Sequence, residues 1–94
     1  MLIEDVGEAP YKIDRMLQQL INTALVDELQ GVVFAEMHNC IDPYNDLKAV
    51  IYDLFSSYNL PIAFGLKTGH GLINNSIPLG GRAILNSSKG IFSF

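Results

Sequence analysis

Cys40 is the chain's only cysteine, so no internal disulfide can staple the fold, which fits a reducing, cytoplasmic setting. Basic residues are also scarce. Six lysines and arginines against ten acidic residues leave a net charge of −4, with no basic cluster. Nucleic-acid binding has no electrostatic footing in such a chain. No apolar run approaches the ~18 residues of a membrane span. Met1 leads into no basic segment followed by an apolar one, so neither a membrane anchor nor a signal peptide is expected. The six serines lie at positions 56, 57, 76, 87, 88 and 93. None occupies a G-x-S-x-G elbow or a sharp strand-to-helix turn, which removes the common signature of a serine nucleophile.

Charge is in short supply overall. Of 94 residues, 17 % are charged and 49 % hydrophobic, where ordinary soluble domains carry about 25 % charged residues. A chain this short forms one domain and buries only about 60–65 % of its unfolded surface. It should need more charge than average, so the deficit points to a face that is covered by something else. A larger protein of which this is a part, or a permanent oligomer, would supply the cover.

What is present reads as alternating elements. "MLIED" is a short apolar strand running into carboxylates. "VGEAPYKIDRMLQQLINTAL" follows: Gly7 breaks the strand, Glu8 and Pro10 suit a helix start, and Ile13, Met16, Leu17, Leu20 and Ala24 recur at helical spacing. "GVVFAEM" is a buried strand. "IDPYNDLKAVIYDLFSSYNL" reads as a helix with Asp42 as N-cap, Pro43 in the first helical position, and a stripe of Leu47, Val50, Ile51, Leu54 and Tyr58. "PIAFG" is a third strand, and "SIPLGGRAILNSSKGIFSF" supplies two or three more short ones. The order β-α-β-α-β with hairpin material behind it predicts a single small α/β domain with a largely parallel sheet. Working residues of such sheets gather beyond the carboxyl ends of strands, and both Glu4-Asp5 and the loop "LKTGHGLINN" stand there.

In that loop His70 is flanked by Gly69 and Gly71, which remove side-chain bulk and free the backbone. A solvated loop histidine would look the same. As a general base, however, imidazole needs a carboxylate on one ring nitrogen and a nucleophile's proton on the other. Glu4, Asp5 and Glu8 are the available carboxylates. Strand alternation sends Glu4 and Asp5 to opposite sides, and Glu8 is accounted for by favourable charge at a helix N-terminus. Glu4 is therefore the stronger candidate. "EMHNC" invites a metal reading, with Glu36, His38 and Cys40 on one face of an extended segment, but three ligands along one strand span too far for tetrahedral geometry. Cys40 has no histidine motif tied to it as a nucleophile. Candidates for a base and its carboxylate are thus present, and the nucleophile is missing.

"LIEDVGEAPYKIDRMLQQL", "GVVFAEM" and "LPIAFGLKTGHGLINNSIPLGGRAIL" together resemble the C-terminal domain of the serine LD-carboxypeptidases, the murein tetrapeptide carboxypeptidases grouped with the microcin-immunity peptidases. The resemblance implies a swivelling β/β/α domain whose glutamate and histidine complete a Ser-Glu-His triad, with Glu4 and His70 in those places and Glu8 as the second choice for the carboxylate. It implies that the serine and the oxyanion hole belong to a separate N-terminal flavodoxin-like domain, so that residues 1–94 would be inactive alone. Other expected partners are a peptidoglycan tetrapeptide, cleaved at its L-to-D bond to release D-alanine, and a second copy in a homodimer. No cofactor or metal is expected. A relative cleaving another amide, as the immunity branch does, and a non-catalytic association domain are the competing expectations.

Overall fold

The computed structural model describes all residues from Met1 to Phe94. Three strands, β1 (Leu2–Ile3), β2 (Val32–Ala35) and β3 (Ile62–Leu66), form a parallel sheet in the order β1-β2-β3. Helix α1 (Pro10–Asn22) connects the first two, helped by a short 3-10 turn over Leu25–Glu28, and α2 (Leu47–Phe55) connects the second and third. An antiparallel hairpin, β4 (Ile84–Asn86) and β5 (Ile91–Ser93), ends the chain. The β-α-β-α-β order followed by short strands is the one the sequence predicts.

Both helices lie on one face of the sheet. Ile13 and Leu17 of α1 and Ile51 and Phe55 of α2 join Val32 and Phe34 of β2 in one buried cluster. Phe34 is fully buried and stacks on Phe64 of β3 at 5.0 Å between ring centroids. Val33 points to the other face, where Leu85 and Phe92, paired across the hairpin, line clefts with it. Burial of β2 on both faces explains its continuous apolar run.

Pro10 opens α1 as expected, occupying the position where its missing N–H costs nothing. Three members of the expected stripe fall outside the core; Leu20 is partly exposed, and its neighbour Ile21 packs against the core instead. Met16 is exposed, and Ala24 lies beyond the helix in a left-handed conformation, φ 62°. The start of the second helix is a clearer correction. Asp42 does not cap it and Pro43 does not begin it. The Asp42 carboxylate accepts hydrogen bonds from the Tyr44 and Asn45 N–H groups at 2.7 Å each, closing a separate turn. Such local side-chain bonding competes with helix formation, so α2 begins at Leu47 with Asp46 as its cap, accepting from Ala49 N–H at 3.1 Å. Tyr58 lies past the helix end and packs edge-on against Phe55.

Two irregularities shape the carboxyl end of the sheet. Between β2 and β3 the register slips by one residue: Phe34 pairs with Phe64, but Ala35 pairs with Leu66. Gly65, at φ 86°, absorbs the extra residue. Just beyond β2, Met37 adopts φ 51°, uncommon for a side chain of its size. Met37, not Glu36, thereby continues the core row of Val32 and Phe34.

Candidate functional site

The loop after β3 is stitched closed by its own backbone and side chains. Asn75 N–H donates to the Lys67 carbonyl at 2.8 Å, and Thr68 Oγ1 donates to the Asn75 carbonyl at 3.0 Å. Asn74 Oδ1 accepts from the Gly69 N–H at 2.9 Å. The ring of residues 67–75 so formed carries His70 on an exposed crest.

Glu4 leaves the end of β1 and meets that crest: its Oε1 lies 2.8 Å from His70 Nδ1. A carboxylate can only accept, so the proton of a neutral His70 resides on Nδ1, and the Nε2 lone pair is left free. Asp5 does not share the work. Its Oδ1 accepts from the neighbouring Val6 N–H at 2.8 Å. Glu8 precedes α1 and reaches Lys12 in its first turn, 3.5 Å from the ammonium.

The two glycines beside His70 make room for two different carboxylates. Gly69 has φ 104°, and a Cβ there would stand 2.6 Å from the Glu4 Cδ. A Cβ on Gly71 would collide with the Glu36 carboxylate instead. Glu36, half-buried beyond β2, is in turn ion-paired with Lys67 at the neck of the loop. Sequence reasoning reaches Glu36 only as a metal ligand and passes over Lys67. The usable signal is the register slip at Gly65, which cannot be seen before the strands are paired.

Glu36, His38 and Cys40 do not form the row an extended segment would give. The left-handed residues Met37 and Asn39, φ 51° and 56°, break the alternation. Glu36 turns to Lys67 and His38 is exposed. Cys40 is buried, its thiol 3.7 Å from the His38 carbonyl. Burial pushes that thiol's pKa up, and the nearby Asp5 and Glu8 carboxylates add to the effect against opposing backbone hydrogen bonds. Cys40 is thus the reverse of an activated thiolate.

The Glu4–His70 pair stands on open surface. A cleft of about 410 Å³ between the β1–β2 side and the segment leading into the hairpin is lined by Leu2, Val33, Leu79, Leu85 and Phe92, not by the pair. His70's hydrogen bond runs to Glu4, and no serine hydroxyl of the chain bonds to the ring. Beside the histidine, Leu72 and Ile73 project into solvent.

Comparison with known proteins gives concordant results. A family described as the LD-carboxypeptidase C-terminal domain matches residues 1–85. Over 93 residues the chain is 32 % identical to a Bacillus subtilis protein named "Probable murein peptide carboxypeptidase", covering 95 % of this chain and 29 % of that one. It is 27 % identical over 93 residues to the murein tetrapeptide carboxypeptidase of Pseudomonas aeruginosa, covering 95 % and 30 %. The crystal structure of muramoyltetrapeptide carboxypeptidase from Oxalobacter formigenes superimposes with a TM-score of 0.82 at 29 % identity, covering 97 % of this chain and 33 % of that one. The chain therefore spans about a third of the length of the proteins it matches.

Proposed function

The chain belongs to the LD-carboxypeptidase C-terminal domain family, and from that premise we propose that it supplies the glutamate and histidine of a Ser-Glu-His triad. The serine and oxyanion donors come from a preceding domain of the same protein. The reaction is hydrolysis of the L-to-D peptide bond that releases terminal D-alanine from murein tetrapeptide. His70 Nε2 takes the serine proton as Oγ attacks the scissile carbonyl, then delivers it to the departing amine. A water molecule, deprotonated by the same nitrogen, later releases the acyl group and restores the serine. Glu4 holds the ring in the tautomer this requires and stabilises the imidazolium formed in each step.

The observation that carries this reading is the Nδ1–Oε1 contact of 2.8 Å between Glu4 and His70. The exposure of that pair, with apolar Leu72 and Ile73 beside it, supports a site completed by a second surface. The relatives named for murein peptides support the substrate class.

The test is D-alanine release from murein tetrapeptide. The full-length protein is expected to turn over and its His70→Ala variant to be inactive. Residues 1–94 alone should be silent, because an oriented histidine contributes little without a nucleophile and oxyanion donors. Release by residues 1–94, abolished by mutating one of their own serines, would overturn the proposal.

A further inference from the structure

We propose that the Glu36–Lys67 ion pair positions His70, bracing the far side of the loop whose near side rests on Glu4. This rests on the reading of Glu4 and His70 as the orienting half of the triad. Neither Glu36 nor Lys67 is placed against a reacting atom. They act through the loop.

Three features built into the sheet converge on this pair. The register slip at Gly65 comes first. Without it Gly65 would pair with Ala35 and Leu66 would stand abreast of Glu36. With it Leu66 pairs with Ala35, and the next residue, Lys67, draws level with Glu36. The left-handed turn at Met37 comes second: Met37 fills the core place that strand alternation would give to residue 36. The Glu36 side chain is thereby released from the core row and turns toward the loop. The third is Gly71, whose missing side chain is what lets the Glu36 carboxylate lie against the backbone following His70. Gly69 gives Glu4 the same access on the other side.

The geometry is that of a clamp. β2 lies between β1 and β3, so the loop leaving β3 must pass over the end of β2 to bring His70 to Glu4. Glu36, at the end of β2, lies under that crossing. Lys67 is at the neck, and its carbonyl also accepts the hydrogen bond from Asn75 that closes the loop. Fixing Lys67 therefore fixes both ends of the loop. An ion pair this exposed adds little to global stability and is screened by salt. That makes a positioning role separable from a structural one.

The decisive experiment is NMR of the ¹⁵N-labelled 94-residue chain in alkaline solution, where imidazole is neutral. It compares the wild type with Lys67→Met, Glu36→Gln and the charge-reversed double variant Glu36→Lys, Lys67→Glu. Ring ¹⁵N shifts report the His70 tautomer, with His38 signals assigned by His38→Gln. The wild type should hold its proton on Nδ1. Both single variants should drift toward a mixture with Nε2–H and exchange the Gly69 and Asn75 amide protons roughly 2- to 5-fold faster. Their melting temperatures should barely change. The double variant should restore both signals.

Unchanged tautomer and exchange in both single variants would overturn the brace. So would single variants that respond with no recovery in the double, since the effect would then be packing rather than pairing. A wild-type chain without the Nδ1–H preference would count against the triad reading, while the amide exchange rates would still decide the brace. Lys67→Met alters an exposed side chain and keeps the test intact should Glu36→Gln fold poorly.

Discussion

His70 Nδ1 and Glu4 Oε1 lie 2.8 Å apart across 66 residues of sequence. Neither residue is required by the fold. Glu4 follows an edge strand and His70 crowns a loop, both exposed and outside the buried core. Their meeting fixes which nitrogen of the neutral imidazole faces outward with a lone pair.

In the full-length protein, Glu4→Gln should lower kcat by about 10²–10⁴ and change KM much less, because the carboxylate matters most when the ring becomes charged. Asp5→Asn should be milder and act through stability. Glu8→Gln should leave turnover close to wild type, since Glu8 pairs with Lys12 on the helix surface. Steady-state kinetics of the three variants separate these outcomes. Collapse in Glu8→Gln with normal turnover in Glu4→Gln would move the triad carboxylate.

Gly69→Ala should disrupt the site more than any other single methyl group. It places Cβ 2.6 Å from the Glu4 Cδ and forces a side chain into φ 104°, a backbone strain on the order of 1–2 kcal/mol. Gly71→Ala should displace Glu36 while leaving Glu4 in place. In a crystal structure, the first variant should show the Glu4–His70 bond broken and the second should show the Glu36–Lys67 pair parted. An intact Glu4–His70 bond in Gly69→Ala would contradict the close approach of Glu4 to the loop backbone.

Asp42 gives a pH dependence of defined sign. The Tyr44 N–H, then the Asn45 side chain, hold its carboxyl below the ordinary carboxylate range. The folded state thus binds its proton more weakly than the unfolded state, and the stabilisation is present above the ordinary carboxylate pKa. It is lost as pH falls through the lowered value. The melting-temperature gap between wild type and Asp42→Ala should therefore be widest near pH ~7 and close toward pH ~2.5. A gap that persists in acid would refute the assignment.

Cys40 should resist alkylation. Its raised thiol pKa and burial leave little accessible thiolate at about pH 8. Modification by iodoacetamide should be far slower in the folded chain than in denaturant. Because the folded pKa is raised, Cys40 also favours the folded state below the ordinary thiol pKa, an advantage that fades as pH rises toward the folded value. Rapid native-state labelling would place the thiol at the surface.

Much of the fold is legible in the sequence because its signals are local. Pro10 and the Ile13/Leu17 spacing give the first helix, and the unbroken apolar run of Val32–Ala35 gives the central strand. The helix start expected at Asp42 fails for an equally local reason. Asp-Pro is a good helix opening and also a good turn, and here the Tyr44 and Asn45 donors gather on the Asp42 carboxylate to close the turn. At the site, Glu4 and His70 can be nominated from residue type and loop chemistry. Glu36 and Lys67 cannot be paired in advance, because their proximity depends on a slip in strand register, and register is a property of two segments at once.

The order of the sheet has a kinetic consequence. Glu4 extends from the first strand and His70 from the loop after the third, with β2 between them, so their contact closes across a span of roughly 10 Å, two strand spacings. No partly assembled chain lacking either edge strand can make it. Local helices tend to form early and distant strand pairings late, so this contact is expected among the last events of folding. A nascent or misassembled copy would carry every residue of the pair and yet hold its histidine in no fixed tautomer. A fixed orientation of that ring is thereby deferred to the finished fold.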